Sequence, residues 1–336
     1  MRIAVFGSGG WGTALSCLLC ASHEVTLCSH SDKTAELLEK TRENPYLKGV
    51  VIPDGIVITS DKTFASQGIE IAVIASPSFA FRETVAALKG LLPEGCIIVN
   101  VSKGLEEDTG SLFSQVTREE LGDIPYCMLS GPSHAEEVAR FEPTLTVAAS
   151  KCRETAEFVQ DAFMTNNFRV YSSPDVVGVQ LGGALKNIIA IAAGICDGLN
   201  LGDNTKAALV TRGLTEIARL GVKLGGMQET FGGLAGIGDL FVTCTSEHSR
   251  NRRMGRMIGR GMPPDIALGR VGGVVEGYYA VKAARLLAHK TGVEMPITEQ
   301  VYQVLFGAVE PEKSILSLMT RSKKHESETV WMSSAD

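Results

Sequence analysis

The feature that most constrains the fold is a glycine cluster close to the start of the chain. Gly7, Gly9 and Gly12 have the spacing G-x-G-x-x-G, directly after the apolar run Ile3–Phe6. An apolar segment of helical period follows the glycines, and a second apolar run, Val25–Cys28, follows that segment. This order of strand, turn, helix and strand is the setting in which the glycine pattern indicates a dinucleotide site.

Each glycine of the cluster has a distinct predicted role. Gly7 makes the tight turn, Gly9 lets the backbone approach a pyrophosphate, and Gly12 allows the helix to pack closely on the strand. Gly10 and Trp11 lie inside the same turn, at the helix N-terminus where free N–H groups attract phosphate. The alternative is a glycine-rich loop that binds no ligand.

The end of the second strand bears on the choice of cofactor. A site strict for NAD carries Asp or Glu about 20 residues after the glycines, to hold the ribose 2′-hydroxyl. Ser29 and His30 stand at that place in this chain, and Lys33 follows. His30 and Lys33 would attract a 2′-phosphate, so NADPH is favoured and NADH stays usable. Alternatively, Asp32 bends back to the ribose and NAD is preferred.

The rest of the chain predicts an α/β fold in which an N-terminal Rossmann-type domain is followed by an all-helical domain. Strand-like runs alternate with helical periods up to residue 174, which predicts a doubly wound, mostly parallel sheet, with residues 43–56 as an inserted loop. The predicted strands are Ile3–Phe6, Val25–Cys28, Ile71–Ala75, Ile97–Val101, Tyr126–Leu129, Leu145–Ala149 and Phe168–Tyr171. The predicted helices beyond the boundary are Gly178–Asp197, Asn204–Leu224, Ser249–Arg260, Pro264–Val271, Val275–Thr291 and Pro296–Phe306. We therefore divide the chain into a dinucleotide-binding domain (1–174), a helical substrate and catalytic domain (175–320) and a polar tail (321–336).

Composition and charge exclude several classes of protein. The 336-residue chain has a formal net charge of -6, so it has no general attraction for nucleic acid. Its longest apolar stretch, Val176–Cys196, contains polar residues and is a poor membrane span, and the N-terminus does not resemble a secretory signal. The eight cysteines are scattered and predict neither a metal site nor a disulfide framework. Cys17 and Cys20 are interpreted as small apolar residues one helical turn apart, with a redox pair as the alternative. These features predict a cytoplasmic protein.

The sharpest anomaly is one lysine within an apolar helix. Lys186 is the only formally charged residue between Asp175 and Asp197. Burial lowers the pKa of a lysine toward neutrality, as a general acid or base requires. Small residues on the same helical face predict room for a flat ring and a small substrate, and these are Gly182, Gly183, Ala190 and Ala193. The alternatives are a lysine that extends to solvent at a helix edge and a structural ion pair.

Further candidates follow strand ends or stand in flexible segments. Lys103 directly follows a predicted strand, where ligands of open α/β sheets bind, although a solvated loop lysine is the alternative. Asp239 lies in a second glycine-rich loop and is predicted to pair with Lys186, with Thr243 adding a hydroxyl; otherwise Asp239 is a helix N-cap. The segment 249–253, Ser-Arg-Asn-Arg-Arg, is the densest positive charge in the chain and suits a small phosphorylated substrate, unless its arginines are ordinary surface residues.

Together these segments resemble the bacterial NAD(P)-dependent glycerol-3-phosphate dehydrogenases. The similarity runs from about residue 2 to residue 320 in the order of the family, and its main segments are 7–15, 102–106, 130–133, 178–187, 236–240, 249–253 and 274–277. The resemblance implies reversible hydride transfer between NAD(P)H and C2 of dihydroxyacetone phosphate, giving sn-glycerol 3-phosphate for phospholipid synthesis. Independently of the resemblance, the apolar character of the helical domain predicts a homodimer.

The resemblance also assigns roles to residues of this chain. It implies that Lys186 is the general acid and base, supported by Asp239 and Thr243. Implied cofactor-binding positions are Gly10, Trp11, His30, Lys103, Ala135, Arg250, Val274 and Glu276. Implied substrate-binding positions are Lys103, Gly131, Ser133, Lys186, Asp239, Ser249, Arg250 and Asn251.

Two other functions remain open at this point. A related β-hydroxyacid or 6-phosphogluconate-type dehydrogenase also joins a Rossmann domain to a helical domain that carries a lysine. A nucleotide-sensing regulator would bind NADPH without turnover.

Overall fold

The computed structural model describes residues 1–323 and 326, and its first half is built on one eight-stranded sheet. The strand order is β3-β2-β1-β4-β5-β6-β7-β8. The strands are β1 (Arg2–Phe6), β2 (Glu24–Cys28), β3 (Val57–Thr59), β4 (Ile71–Ile74), β5 (Ile97–Asn100), β6 (Tyr126–Ser130), β7 (Thr144–Ala149) and β8 (Phe168–Ser173). Neighbouring strands are parallel except β6 and β7, which pair antiparallel, so the predicted mostly parallel sheet is confirmed.

Helices cover both faces of this sheet and separate most of its strands. They are α1 (Gly10–Leu19), α2 (Asp32–Thr41), α3 (Lys62–Ala65), α4 (Phe81–Ala86), α5 (Phe113–Leu121), α6 (Ala135–Ala139) and α7 (Arg153–Phe163), with a 3₁₀ turn at Ser78–Ala80. The central strands β1, β4 and β5 are almost wholly buried, which explains why they consist of continuous apolar residues. Segment 43–56 carries only an isolated bridge between Glu43 and Val51.

All regular elements described after β8 are helical. They are α8 (Val176–Gly198), α9 (Asp203–Lys223), α10 (Gln228–Phe231), a π-helical turn (Leu234–Gly238), α11 (Asp239–Thr245), α12 (Arg250–Gly259), α13 (Pro264–Arg270), α14 (Glu276–Thr291), α15 (Pro296–Phe306) and α16 (Pro311–Met319). The predicted division into domains at residue 174 stays a prediction. Most of the predicted polar tail, residues 321–336, lies outside the described residues.

Helix α8 is the core of the helical half. Among the described residues it is the one helix long and apolar enough to cross a membrane, yet 94% of its most apolar 18-residue stretch is buried inside the protein. Helices α9, α11, α12 and α14 pack around it. An apolar helix surrounded in this way is the core helix of a folded domain.

The small residues of α8 serve close packing, which corrects one expectation. A Cβ atom on Gly182 would collide with the carbonyl oxygen of Ala235 in the π-helical turn, and one on Gly183 would lie 2.7 Å from Oγ of Ser130. Ala190 is fully buried in the helical core. The predicted room for a ring along this face was wrong, because backbone and side-chain atoms of neighbouring elements already fill it.

Candidate active site

The predicted site residues meet where the carboxyl ends of the parallel strands face the helical half. Gly7 follows β1, His30 follows β2 by two residues, Lys103 follows β5, and Gly131 follows β6. The helical half approaches this edge with α8, α11 and the start of α14, as the contacts below show. The arrangement brings the amines of Lys103 and Lys186 and the carboxylate of Asp239 together at this edge, where the glycine turn also lies.

Lys186 is buried, and two side chains accept hydrogen bonds from its amine. Its side chain is 7% exposed, and its Nζ donates hydrogen bonds to Oδ1 of Asp239 and to Oγ1 of Thr243, the latter at 2.8 Å. Burial lowers the pKa of Lys186 to about 8; the negative charge of Asp239 opposes this effect and the positive charge of Lys103 adds to it. The predicted pairing with Asp239 is confirmed, and extension of the amine to solvent is excluded.

Asp239 holds amines from both halves of the protein. Its Oδ2 lies 2.9 Å from Nζ of Lys103, while its Oδ1 accepts from Lys186. The alternative role as a helix N-cap was wrong: Gly238 occupies the N-cap of α11, and Asp239 is the first residue of that helix. The π-helical turn that precedes Asp239 packs on α8 at Gly182. This contact holds the carboxylate of Asp239 beside Lys186, which also lies in α8.

Lys103 is less buried than Lys186 and is held by the loop after β6. Its Nζ donates to the carbonyl oxygen of Gly131 at 2.7 Å and to Oγ of Ser133 at 3.3 Å, as well as to Asp239. Its side chain remains 16% exposed. The alternative of a solvated loop lysine is therefore wrong, and the predicted substrate residues Lys103, Gly131 and Ser133 lie together.

Asn187, which the sequence analysis did not single out, links this cluster to α12 and α14. Nδ2 of Asn187 donates to the carbonyl oxygen of Lys103 at 3.4 Å, and its Oδ1 accepts from Nδ2 of Asn251 at 3.0 Å. Oδ1 of Asn251 then accepts from the backbone N–H of Gly277 at 2.8 Å. The sequence signal that could have identified Asn187 is its position as a polar residue next to Lys186 in an apolar helix.

The basic segment 249–253 divides into residues with different tasks. The hydroxyl of Ser249 caps α12 by accepting from the backbone N–H of Arg252 at 3.2 Å. The Arg252 side chain forms ion pairs of 2.6 Å with Asp197 and with Glu247. Arg250 is exposed, and its Nη1 would lie 3.1 Å from a Cβ atom on Gly273. Arg252 is thus committed to ion pairs within the protein, and Arg250 keeps its guanidinium beside the loop that precedes α14.

The glycine turn has the shape of a dinucleotide cradle. Gly7 has a φ of +118°, and a Cβ there would lie 2.6 Å from the carbonyl oxygen of Ala75. A Cβ on Gly12 would collide with the carbonyl oxygen of Gly7, so the helix starts tightly against the strand. A Cβ on Gly9 would meet nothing within 4 Å, which leaves open space before the N-terminus of α1. These residues fit a pyrophosphate there.

The remaining predicted cofactor residues lie around this turn or across the cleft from it. Trp11 and Ala135 pack against the same small cluster, and the indole Nε1 of Trp11 is buried without a hydrogen-bond partner. Oε1 of Glu276 accepts from the backbone N–H of Ser78 at 3.2 Å, and its Oε2 is buried without a partner. Burial raises the pKa of Glu276. Val274 is half-buried and His30 is exposed.

His134 is a second residue that the sequence analysis left without a role. It directly follows Ser133, its ring centroid lies 5.8 Å from that of His248, and its buried Nε2 has no hydrogen-bond partner. Burial lowers its pKa to about 4, and the charges of Lys186 and Lys103 contribute to the shift. The imidazole is therefore neutral near pH 7 and adds no positive charge to the lysine pair.

The cysteines give no support for a redox pair or a metal site. All eight thiols are free, and burial raises the pKa of Cys17 to about 12. A thiol with this pKa is protonated near pH 7 and is a poor nucleophile, so the redox interpretation of Cys17 and Cys20 has no support. Within the described part of the chain, no three His, Cys, Asp or Glu side chains are grouped for a metal ion.

Comparison with known proteins matches almost the whole chain. Residues 2–156 match the profile of the NAD-dependent glycerol-3-phosphate dehydrogenase N-terminus, and residues 175–316 match that of the C-terminus of the same family. Relatives named glycerol-3-phosphate dehydrogenase [NAD(P)+] include one from Desulfitobacterium hafniense, 51% identical over 98% of this chain and 94% of its own length. Another, from Moorella thermoacetica, is 52% identical over 97% of this chain and 98% of its own length.

Solved structures show the same fold. The crystal structure of glycerol-3-phosphate dehydrogenase from Coxiella burnetii superposes with a TM-score of 0.92 at 39% identity, covering 95% of this chain and 99% of that one. A ketopantoate reductase from Ralstonia eutropha superposes with a TM-score of 0.60 at 16% identity, covering 94% of this chain and all of that one, and this likeness concerns the fold alone.

Proposed function

The chain belongs to the NAD-dependent glycerol-3-phosphate dehydrogenase family, and from this membership we propose its reaction and the residues that perform it. The enzyme transfers a hydride reversibly between NAD(P)H and C2 of dihydroxyacetone phosphate, giving sn-glycerol 3-phosphate for glycerophospholipid synthesis. The observation that supports this assignment best is the amine of Lys186, buried and held by Asp239 and Thr243 at the edge of the sheet where the glycine turn also lies.

Lys186 is the proton donor for reduction of the ketone. The nicotinamide, when bound, supplies the hydride. Negative charge grows on the C2 oxygen of the substrate as reduction proceeds, and the ammonium of Lys186 stabilises that charge and then donates its proton. In the opposite direction the neutral amine takes the proton from the C2 hydroxyl. Asp239 and Thr243 fix the direction of the amine, because both accept hydrogen bonds from it.

The other polar residues of the site bind the substrate and the cofactor. Lys103, with Gly131 and Ser133, lies next to the catalytic amine and suits the hydroxyl and phosphate groups of a triose phosphate. The guanidinium of Arg250 suits a phosphate bidentately. Ser249 and Asn251 support this residue indirectly, since Ser249 caps α12 and Asn251 ties it to α14.

The cofactor site is formed by the glycine turn and the residues around it. Gly9 and the N-terminus of α1 at Gly10 receive the pyrophosphate, and Gly7 and Gly12 shape the turn that presents them. The pocket is completed by Trp11, Ala135, Val274 and Glu276. The strand end carries His30 in place of a carboxylate, which favours NADPH over NADH because the carboxylate that would repel a 2′-phosphate is absent from that position. Both cofactors remain usable, as the names of the relatives indicate for those proteins.

The proposal extends to location and assembly. Free thiols suit the reducing cytoplasm. The protein forms a homodimer, and light scattering at several concentrations tests this. A net charge of -6 argues against nucleic acid as a partner, and helix α8 is committed to the core of the protein.

Steady-state kinetics tests the reaction. We expect NADPH oxidation with dihydroxyacetone phosphate and a lower rate with NADH at equal concentration. A 3-oxoacid is the matched control, because a β-hydroxyacid dehydrogenase would prefer it. Preference for the 3-oxoacid, or no oxidation with dihydroxyacetone phosphate, contradicts the proposal.

Replacement of the catalytic amine separates an enzyme from a nucleotide sensor. Lys186→Ala removes the proton donor, so we expect turnover to fall at least ~100-fold while NADPH binding is retained. NADPH fluorescence reports binding independently of turnover. An unchanged rate would exclude Lys186 as the general acid.

A further inference from the structure

The segment 43–56, predicted only as an inserted loop, packs directly on the glycine turn. Its carbonyl oxygen at Tyr46 would lie 2.8 Å from a Cβ atom on Gly10. Leu47 is buried in a small cluster with Ala14 of α1 and Ala139 of α6. Trp11 and Ala135, both placed in the cofactor site above, pack against that same cluster. The segment is therefore a wall of the dinucleotide pocket.

One buried side chain fastens this wall to the turn. Asn44 is 3% exposed, and its Nδ2 donates to the carbonyl oxygen of Ser8 at 2.9 Å and to Oγ1 of Thr13 at 2.7 Å. Its Oδ1 accepts from the backbone N–H of Tyr46 at 2.9 Å. The amide group thus uses both of its hydrogens and its oxygen, and this pattern fixes its orientation.

The bond to Ser8 determines where the next N–H of the turn points. The peptide between Ser8 and Gly9 is planar and trans, so its carbonyl oxygen and its N–H point in opposite directions. Because Asn44 holds the carbonyl on the side of the loop, the N–H of Gly9 is turned to the other side. The bond to Thr13, in the first turn of α1, fixes the N-terminus of that helix relative to the same peptide.

We propose that Asn44 is a positioning residue for the cofactor, which holds the Ser8–Gly9 peptide so that its N–H faces the pyrophosphate. The inference rests on the proposed function, because the group received at this turn is the dinucleotide of that reaction. Asn44 acts through the backbone of the turn and has no part in the proton transfer.

Two substitutions weaken, to different extents, the hydrogen bonds by which Asn44 holds the glycine turn. Asn44→Asp keeps the size of the side chain and the acceptor for Tyr46 but replaces both N–H donors with an oxygen, so we expect the Kd for NADPH to rise at least ~10-fold. Thr13→Val removes one of the two acceptors at nearly constant volume, and we expect a rise of about threefold. In the fully folded variants, kcat at saturating NADPH changes less than Kd.

A matched control separates this role from a merely structural one. Thr117 of α5 is as buried as Thr13, and its hydroxyl bonds within its own helix to the carbonyl oxygen of Phe113. Thr117→Val removes this hydroxyl at nearly constant volume, as Thr13→Val does, and should leave the Kd for NADPH unchanged. Kd is measured by NADPH fluorescence, and unfolding is followed separately without ligand.

The outcomes distinguish the two proposals. A raised Kd for NADPH in both Asn44→Asp and Thr13→Val, with the Kd of Thr117→Val unchanged, supports the role of Asn44. A Kd equal to that of the unsubstituted protein in Thr13→Val and in Asn44→Asp overturns it, and Thr13→Val alone decides the question if Asn44→Asp does not fold. Failure of the unsubstituted protein to bind either NADPH or NADH overturns the proposed function and this inference together.

Discussion

The buried amine of Lys186 shows how one residue acquires its chemistry from its surroundings. A buried, unpaired ammonium is costly, and the neutral form avoids that cost. Asp239 and Thr243 recover much of the stability of the charged form by accepting its hydrogen bonds. Burial still has the larger effect on the pKa, which is lowered to about 8. The residue can therefore both give and take a proton near neutral pH.

This pKa predicts opposite pH dependences for the two directions of the reaction. Reduction requires the ammonium form, so kcat for reduction should fall ~10-fold per pH unit above about 8. Oxidation requires the neutral amine, so its kcat should rise up to about the same pH and then level off. Asp239→Asn removes the negative charge that favours the ammonium, and we expect both transitions to move to lower pH by roughly one unit or more.

The measurement is the pH profile of kcat in each direction, with Thr243→Val as the control. That variant removes a neutral hydrogen-bond acceptor and leaves the carboxylate in place, so its profile should move less than that of Asp239→Asn. Superimposable profiles for Asp239→Asn and the unsubstituted enzyme would show that another group carries the proton.

Sequence alone predicts some residues of the site better than others, for a physical reason. Lys186 was recognisable because a single charge within a long apolar helix needs an explanation. Asn44 and His134 gave no comparable signal, because each stands in a polar loop where any polar residue is acceptable. Their roles depend on which groups the folded chain brings beside them. The spacing of polar residues and the period of apolar residues in the sequence do not predict those contacts.

At the scale of elements, the crossing of α8 and α12 depends on backbone contact between glycines. A Cβ on Gly198 would lie 2.5 Å from the carbonyl oxygen of Arg256 and 2.8 Å from backbone atoms of Gly259. These separations are shorter than real Cβ atoms tolerate, so the two helices would have to move apart. The crossing in turn positions the start of α12, and with it Arg250 and Asn251.

This contact predicts that Gly198→Ala destabilises the protein although alanine favours helices. We expect a loss of ~1–3 kcal/mol in the free energy of unfolding, because overpacking outweighs the gain in helix propensity. Gly269→Ala is the matched control: Gly269 lies in exposed α13 with nothing within 4 Å of an added Cβ. There we expect stabilisation of about 0.4–1 kcal/mol. Urea unfolding of both variants provides the comparison, and a neutral Gly198→Ala would contradict this account of the crossing.

The elements that sequence reasoning missed are those with weak or undirected signals. Strand β3 has three residues, and α16 stands at the end of the predicted domain without a repeated apolar pattern strong enough to mark it. The antiparallel direction of β7 relative to β6 was also unpredictable, because a run of apolar residues has the same pattern in a parallel and in an antiparallel strand. In the structure, residues 131–143 contain only the five-residue α6, which is too short for the crossover that a parallel neighbour requires.

At the scale of the whole molecule, the site is a positive region in an acidic protein. The chain carries a formal net charge of -6. Lys103 and Lys186 share the single carboxylate of Asp239, and Arg250 lies exposed near the same cleft. His134 adds no charge near pH 7, since its pKa is lowered to about 4. A phosphorylated substrate is therefore attracted to one place and repelled by much of the remaining surface.

This distribution predicts that salt weakens substrate binding. Mobile ions screen the exposed charges of the cleft, so the KM for dihydroxyacetone phosphate should rise roughly two- to fivefold between about 0.05 and 0.5 M NaCl. The kcat should change less, because the Lys186–Asp239 pair is buried and poorly screened. Steady-state kinetics at constant pH measures both, with sodium acetate in place of chloride to identify specific ion effects. A KM independent of salt would show that the cleft does not attract substrate by charge.

The carboxylate shared by Lys103 and Lys186 also limits how such a protein can be recombined. One of these amines comes from the sheet half and the other, like the carboxylate itself, from the helical half. A chimera that joined this helical half to a foreign dinucleotide-binding half without an equivalent of Lys103 would leave Oδ2 of the buried Asp239 without its amine partner. The two halves are thus expected to be inherited as a unit, and an engineered exchange would have to transplant the loop after β5 together with the helices.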